Sequence, residues 1–401
     1  MPPRRRGARS TALAALAALT VTLAGCGGAA GGGGGDEGPV KLVGLWEVKG
    51  ESAVAIDDYD HGAALGLEAV NAAGGIAGRP VELERVASDV LNPQKTAAQF
   101  LEAVDKDPAM LIGFASATAL ISAKSQIDRA GIPLLSATSS TAPLRNGAEG
   151  ASDWTWYLQP YDDNKNEAAV RYVTDDLGAS RVGLLATNDS FGTSNIATQE
   201  RLLTERGTPP VAVRTYDATA TDLTQSVLPM RDAQAILSFT FPNPLALELN
   251  QLGQNGIDAP VVSASSAPIA VNGKLVTGPA LDRLVAAVPC DPASSTDPRM
   301  VAFRQTYQQR FGAVPTSVSV STYDAVWIAK AAIEKAGSTE PEAIKAAMAD
   351  LAVTDGVLCT GEYRADGGHM LHHEMVIVKY AADGSATEAR RFTFDPLPAG
   401  A

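Results

Sequence analysis

Short apolar runs alternate with helix-sized amphipathic stretches from Val40 to Ala287, and most of the runs end in small or polar residues. Few folds accommodate that alternation: it predicts βαβ units and a parallel sheet, an α/β architecture. Ala109–Ile112 runs into Gly113-Phe114-Ala115-Ser116-Ala117-Thr118, and Ile132–Leu135 runs into Ser136-Ala137-Thr138-Ser139-Ser140. Further on, Arg181–Ala186 leads to Asn188–Gly192, Ala235–Phe239 to Pro242-Asn243-Pro244, and Pro260–Ser263 to Ala264-Ser265-Ser266. In a parallel sheet, ligands sit beyond the carboxyl ends of the strands, where helix N-termini present unpaired N–H groups. Small residues let the backbone come close, and hydroxyls donate or accept without adding charge. One set of strand ends precedes residue 160 and another follows it, which predicts two similar lobes facing across a cleft. This chemistry suits a small polar or zwitterionic guest and supplies no nucleophile or base, so binding is expected rather than catalysis.

The N-terminus has a different purpose. Arg4, Arg5, Arg6 and Arg9 precede a short apolar run, Thr11–Leu23, too short to span a bilayer. Residues 1–25 therefore read as an export signal. The signal ends in Leu23-Ala24-Gly25-Cys26, which resembles the bacterial lipobox, whose Cys is lipidated and becomes the mature N-terminus. Residues 26–39, almost all Gly and Ala, read as a flexible tether. Removing the signal discards four arginines and no acid, lowering the net charge of −13 by a further four. So acidic a body repels phosphate backbones, which excludes nucleic acid as a partner. Besides Cys26 only Cys290 and Cys359 remain, and two cysteines in an exported chain point to one disulfide, with two separate buried thiols as the alternative.

Along the body, Val40–Trp46 predicts a first strand and Asp57–Ala73 a helix with apolar positions at Ala63, Leu65, Leu67, Ala69 and Val70. Val81–Val86 alternates as a strand, and Pro93–Val104 predicts the next helix. Trp46 is a candidate to stack on a ligand at the cleft mouth, whereas Trp154 and Trp156 read as core. The run Asp57-Asp58-Tyr59-Asp60 reads as helix capping rather than a cation site. His369, His372, His373 and Glu374 lie on what reads as a strand, whose alternation is poor geometry for joint metal ligation, so surface histidines are expected. No Gly-x-Ser-x-Gly elbow or Cys-x-x-Cys pair is present, and neither a cofactor nor a metal is expected.

The order of motifs is familiar. Asn71–Pro80 (NAAGGIAGRP) and Gly131–Leu144 (GIPLLSATSSTAPL) resemble signatures of the branched-chain amino-acid type of periplasmic binding protein. Pro160-Tyr161-Asp162, Leu177–Val182, Asp189-Ser190-Phe191-Gly192, Phe303–Pro315 and Tyr323-Asp324-Ala325-Val326 continue in that family's order. The resemblance implies the type I periplasmic binding protein fold: two parallel-sheet lobes, here 40–159 plus 291–366 and 160–290 plus 367–401. Three crossover strands would join them near Leu158–Tyr161, Val288–Asp291 and Gly367–His373, so that the lobes close on a solute and deliver it to a membrane ABC permease. The resemblance also implies ligand contacts from Ser116, Ala117 and Thr118, from Thr138, Ser139 and Ser140, and from Phe191, where the family often has Tyr. Near Ser265 it implies an acid that neutralises an amino-acid ammonium, yet this chain has Ser263-Ala264-Ser265-Ser266. The solute is therefore an amino acid met by another acid, with Glu47 as a candidate, or else a carboxylate or neutral amide-like molecule. A lipid-anchored, monomeric binding component of an importer is the expectation. A ligand-sensing module acting with a membrane receptor or kinase is the alternative, and an enzyme comes third.

Overall fold

In the computed structural model, the described residues are 38–47, 56–88, 93–114, 117–137 and 151–396. The chain begins with β1 (Val40–Glu47), α1 (Ile56–Ala72), β2 (Val81–Ser88), α2 (Pro93–Val104), β3 (Met110–Gly113), α3 (Ala117–Ala130), β4 (Leu134–Ser136) and β5 (Thr155–Tyr157). These strands form one parallel sheet in the order β2-β1-β3-β4-β5. There follow α4 (Asp162–Arg171), β6 (Val182–Thr187), α5 (Ser190–Glu205), β7 (Ala212–Tyr216), α6 (Thr224–Val227), β8 (Ala235–Leu237), α7 (Pro242–Gln254), β9 (Val261–Ser263), α8 (Ser266–Asn272) and β10 (Leu284–Val288). The chain closes with α9 (Pro298–Phe311), α10 (Ser317–Ala336), α11 (Pro341–Met348), a two-stranded ribbon of β11 (Ala352–Val353) and β12 (Tyr363–Arg364), then β13 (Glu374–Tyr380) and β14 (Ala386–Thr393). The second sheet runs β14-β13-β10-β9-β8-β6-β7, parallel except for β13 and β14.

Central strands are covered on both faces. Every residue of β3, β6 and β10 is buried, which is why these stretches read as continuous apolar runs rather than alternating ones. The first lobe gathers around α1 and α10, and two glycines on α1 decide how closely they pack. A Cβ on Gly62 would fall 2.1 Å from the Ser319 carbonyl oxygen, and one on Gly66 would fall 2.8 Å from that of Tyr323. The matching four-residue steps also show that the two helices run in the same direction. Their N-termini therefore lie at one end of the lobe.

Two acids near the start of α1 make tertiary contacts. Asp58 accepts from the Ser319 hydroxyl at 2.7 Å and from the Tyr307 hydroxyl at 3.1 Å, tying α1 to α9 and α10. Asp60 accepts from the Trp46 indole N–H at 2.8 Å and pairs with Arg85.

Three passages link the two sheets, through 158–161, 289–297 and 365–373. The first and third are stitched to each other: Tyr157 N–H donates to the His369 carbonyl at 2.9 Å, and Leu371 N–H to the Tyr157 carbonyl at 2.8 Å. Tyr161 adds a hydroxyl bond to the Gly368 carbonyl. The second passage is held by the bond between Cys290 and Cys359, which the structure contains. Cys359 and its neighbour are in turn anchored on α10, where buried Asp324 accepts from Leu358 N–H, Cys359 N–H and the Tyr363 hydroxyl at 2.8–2.9 Å.

The histidines of the third passage need correcting. His372 is not at the surface: it is fully buried, edge-on to Tyr363, and burial pushes its pKa down to about 3. His369 stacks on Trp156 with ring centroids 4.8 Å apart. Among the described residues no group of His, Cys, Asp or Glu is placed to hold a metal ion, and no helix is long and apolar enough to cross a membrane.

Candidate functional site

The carboxyl ends of both sheets carry the residues in question. In the first lobe Gly113 ends β3 at a φ of +134°, and a Cβ there would sit 1.9 Å from the Leu45 carbonyl oxygen. Only glycine fits that close approach. Ala117 and Thr118 open α3, with only their backbone described, and buried Ala137 follows β4. Ser116, Thr138, Ser139 and Ser140 lie outside the described residues, as do Cys26, the signal and the tether up to residue 37.

Trp46 departs from its expected place at the cleft mouth. Its ring is 1% exposed, belongs to the first-lobe core and stacks on Tyr59 at 5.9 Å. It folds back over Gly44, where any Cβ would overlap it. The physical reason is that a strand-end indole gains more from burial under α1 with its N–H satisfied by Asp60 than from exposure.

The second lobe presents an aromatic wall. Asp189 caps α5, its carboxylate accepting from Gly192 N–H at 2.8 Å and from the Thr187 hydroxyl at 2.9 Å. The next turn carries Phe191, half-buried, whose ring lies 5.9 Å from that of Phe241 just beyond β8. Phe241 was missed by the sequence reading, although an aromatic residue directly before the Pro that opens the next helix marks a strand end as clearly as Phe191 does. Ser265 is half-exposed at the start of α8, and Ser266 donates its hydroxyl to the Thr240 carbonyl.

Beneath this wall lies a buried acid. Glu248 on α7 is fully buried, its two carboxyl oxygens each 2.5 Å from a hydroxyl, of Tyr216 and of Ser238. Desolvation raises its pKa to about 8 from an ordinary 4.5, against the pull of both hydroxyls. Glu248 therefore keeps its proton at neutral pH. Because the folded value lies above the unfolded one, its contribution to stability is complete below the unfolded pKa and is lost as pH rises through about 8. The expected slope over that window is up to about 1.4 kcal/mol per pH unit. Urea titrations at a series of pH values should show Glu248→Gln flattening this decline, and an unchanged decline would exonerate Glu248.

A polar ladder joins the first turns of α4 and α5. Asn166 donates to Asn195 at 2.6 Å, and Gln199 donates to Asn166 at 2.7 Å. One turn back along each helix, Asn166 donates to the Asp162 carbonyl at 2.7 Å and Asn195 to the Phe191 carbonyl at 2.8 Å. Asp162 and Phe191 thus stand level, at the carboxyl end of the second sheet. Asp162 is 3% exposed, and buried Lys165 donates to its Oδ1 at 2.8 Å. Elsewhere between the lobes, α3 and α5 come within 8 Å at Cα.

A family model described as "Periplasmic binding protein" matches residues 39–385. Leu/Ile/Val-binding protein homolog 7 of Brucella abortus (strain 2308) is 23% identical over 341 residues, covering 80% of this chain and 84% of that one. Homolog 8 of Brucella suis biovar 1 is 25% identical over 344 residues, covering 80% and 83%. Among solved structures, the branched-chain amino acid transporter substrate-binding protein LivJ from Streptococcus pneumoniae, in complex with isoleucine, superposes with a TM-score of 0.75 at 22% identity. That match covers 89% of this chain and 100% of that one. A solute-binding protein of an ABC transporter from R. palustris, in complex with benzoate, gives a TM-score of 0.78 at 13% identity, covering 90% and 99%.

Proposed function

Because the chain belongs to the periplasmic binding protein family and is similar to Leu/Ile/Val-binding protein homologs, we propose that it is the extracytoplasmic, lipid-anchored solute-binding component of an ABC importer. The solute is an amino acid or a related small carboxylate, held between lobes 40–159 plus 291–366 and 160–290 plus 367–401. The observation that supports this reading is a pair of largely parallel sheets linked by three passages, two stitched to each other by backbone bonds and one held by a disulfide. Such passages can bend while each sheet stays rigid, which is what hinge closure requires. The open form captures solute, closure buries it, and the permease recognises the closed form. No turnover is needed for that cycle.

In this reading Ser116, Ala117, Thr118, Thr138, Ser139 and Ser140 meet the solute from the first lobe, and Phe191 and Ser265 from the second. The related proteins named above bind isoleucine in one case and benzoate in another, so the family's cleft accepts guests with and without an amine. Native mass spectrometry of freshly purified protein should find a co-purified small molecule. Titration with L-isoleucine, L-leucine and benzoate should then give saturable binding by at least one. Protein that is empty as isolated and silent to all three would defeat the proposal.

A narrower result is expected for Ser140→Ala. Loss of one hydroxyl to a polar solute group should weaken binding by roughly 10-fold, in line with about 1.5 kcal/mol for a hydrogen bond to a charged group. The melting temperature of the free protein should stay nearly unchanged. Equal affinity in variant and parent would remove Ser140 from the site.

A further inference from the structure

Asp162 opens α4 directly after the first passage between lobes, and one half of its carboxylate is unexplained. Oδ1 takes the Lys165 ammonium at 2.8 Å, while buried Oδ2 meets no donor among the described residues. Buried polar atoms are nearly always paired, so such an exception calls for a cause. The polar ladder between α4 and α5 sets the backbone of Asp162 level with that of Phe191, at the carboxyl end of the second sheet, the end at which parallel-sheet folds take their ligands.

Several other carboxylates near the passages between lobes are occupied. Asp189 spends its oxygens on Thr187 and Gly192, and Asp291 spends its own on Ala293 and Ser294. Glu248 is sealed under Tyr216 and Ser238. The segment after β9 offers only serines and an alanine. From the first lobe, Asp58 already serves Ser319 and Tyr307, and Asp60 serves Trp46 and Arg85; the side chain of Glu47, the acid the sequence offered, lies outside the described residues.

On the reading of this chain as a cleft solute binder, we propose that Asp162 Oδ2 receives the protonated amino group of an apolar α-amino acid. Lys165 is the positioning residue that holds the carboxylate in place. Charges then alternate along one line: Lys165 ammonium, Asp162 carboxylate, solute ammonium, solute carboxylate. The ion pair and the zwitterion are each neutral, so closure buries no net charge, which is the condition for burying ions at tolerable cost. The Phe191–Phe241 pair faces the apolar side chain. An acid lacking the amine would leave Oδ2 without a donor.

Two matched pairs test this by calorimetric titration of the purified protein: L-leucine against 4-methylpentanoate, and L-phenylalanine against 3-phenylpropanoate. The parent should bind the amino acid of at least one pair roughly 30-fold or more tightly than its deaminated partner. Because Asp162→Asn alone strands a buried lysine, the deciding variant is Asp162→Asn combined with Lys165→Gln. That variant should lose the preference while its melting temperature stays close to the parent's. A parent that favours the deaminated acids, or a double variant that keeps the full preference, would overturn the role of Asp162 and leave cleft binding standing. A parent that binds none of the four would overturn the assignment as well. If it also carried no co-purified solute, the solute-binding reading would fall with it.

Discussion

On the proposed anchoring, replacing Cys26 by alanine should release the protein from the membrane fraction into the soluble extracytoplasmic fraction, nearly completely. Diacylation of a mature N-terminal cysteine supplies two acyl chains, each buried methylene contributing about 0.8 kcal/mol, and two chains are what stable anchoring needs. The body of the chain is strongly acidic and so repelled by anionic lipid, and among the described residues no helix can span a bilayer. On the same proposal, the Gly-rich residues after Cys26 would give the body reach without adding affinity of their own. Fractionation of cells expressing parent and variant, with immunodetection, measures the effect. Retention of the variant in membranes would place the anchor elsewhere or remove it.

Asp324→Ala should cost on the order of 3–5 kcal/mol of folding free energy, a larger loss than any other single change argued above. Three donors converge on this carboxylate, from Leu358 N–H, Cys359 N–H and the Tyr363 hydroxyl. All three would lose their acceptor at a site no water reaches, as Asp324 and Tyr363 are fully buried. Burial raises the Asp324 pKa to about 7 while those donors pull it down, so its surroundings nearly balance the carboxylate against the acid. The damage would not stay local, because the same segment carries the disulfide to Cys290 at the second passage between lobes. A fall in melting temperature of roughly 10 °C is expected. Asp324→Asn, which keeps one acceptor oxygen, should lose less. Calorimetry of the two variants decides, and an Ala variant as stable as the parent would show that water takes the place of the carboxylate.

Much of the architecture was legible in the chain. The periods of β1, α1, β2 and α2 place those elements within one or two residues of where they fold, because strand and helix alternation is written in residues a few positions apart. The runs before Gly113, Ser136, Asn188, Pro242 and Ala264 are the central strands, and their unbroken apolar character already implied helices on both faces. The antiparallel pair β13 and β14 had no such signature: an added edge is decided by which strand lies beside β10, and that is not a local property.

The site divides along the same line. Which residue types crowd the strand ends was visible in the sequence, and so was the missing acid near Ser265. Three things were not: that Trp46 turns inward to Asp60, that Phe241 stands beside Phe191, and that Asp162 keeps an oxygen without a donor among the described residues. Each depends on groups brought together from different elements, across 14 residues for Trp46 and Asp60 and across 29 for the Asn166–Asn195 rung that sets the level of Asp162. Local propensity sets the direction of a strand and the stripe of a helix. The partner a side chain finds is set by packing, where the cost of an unpaired buried charge is levied by neighbours far away along the chain.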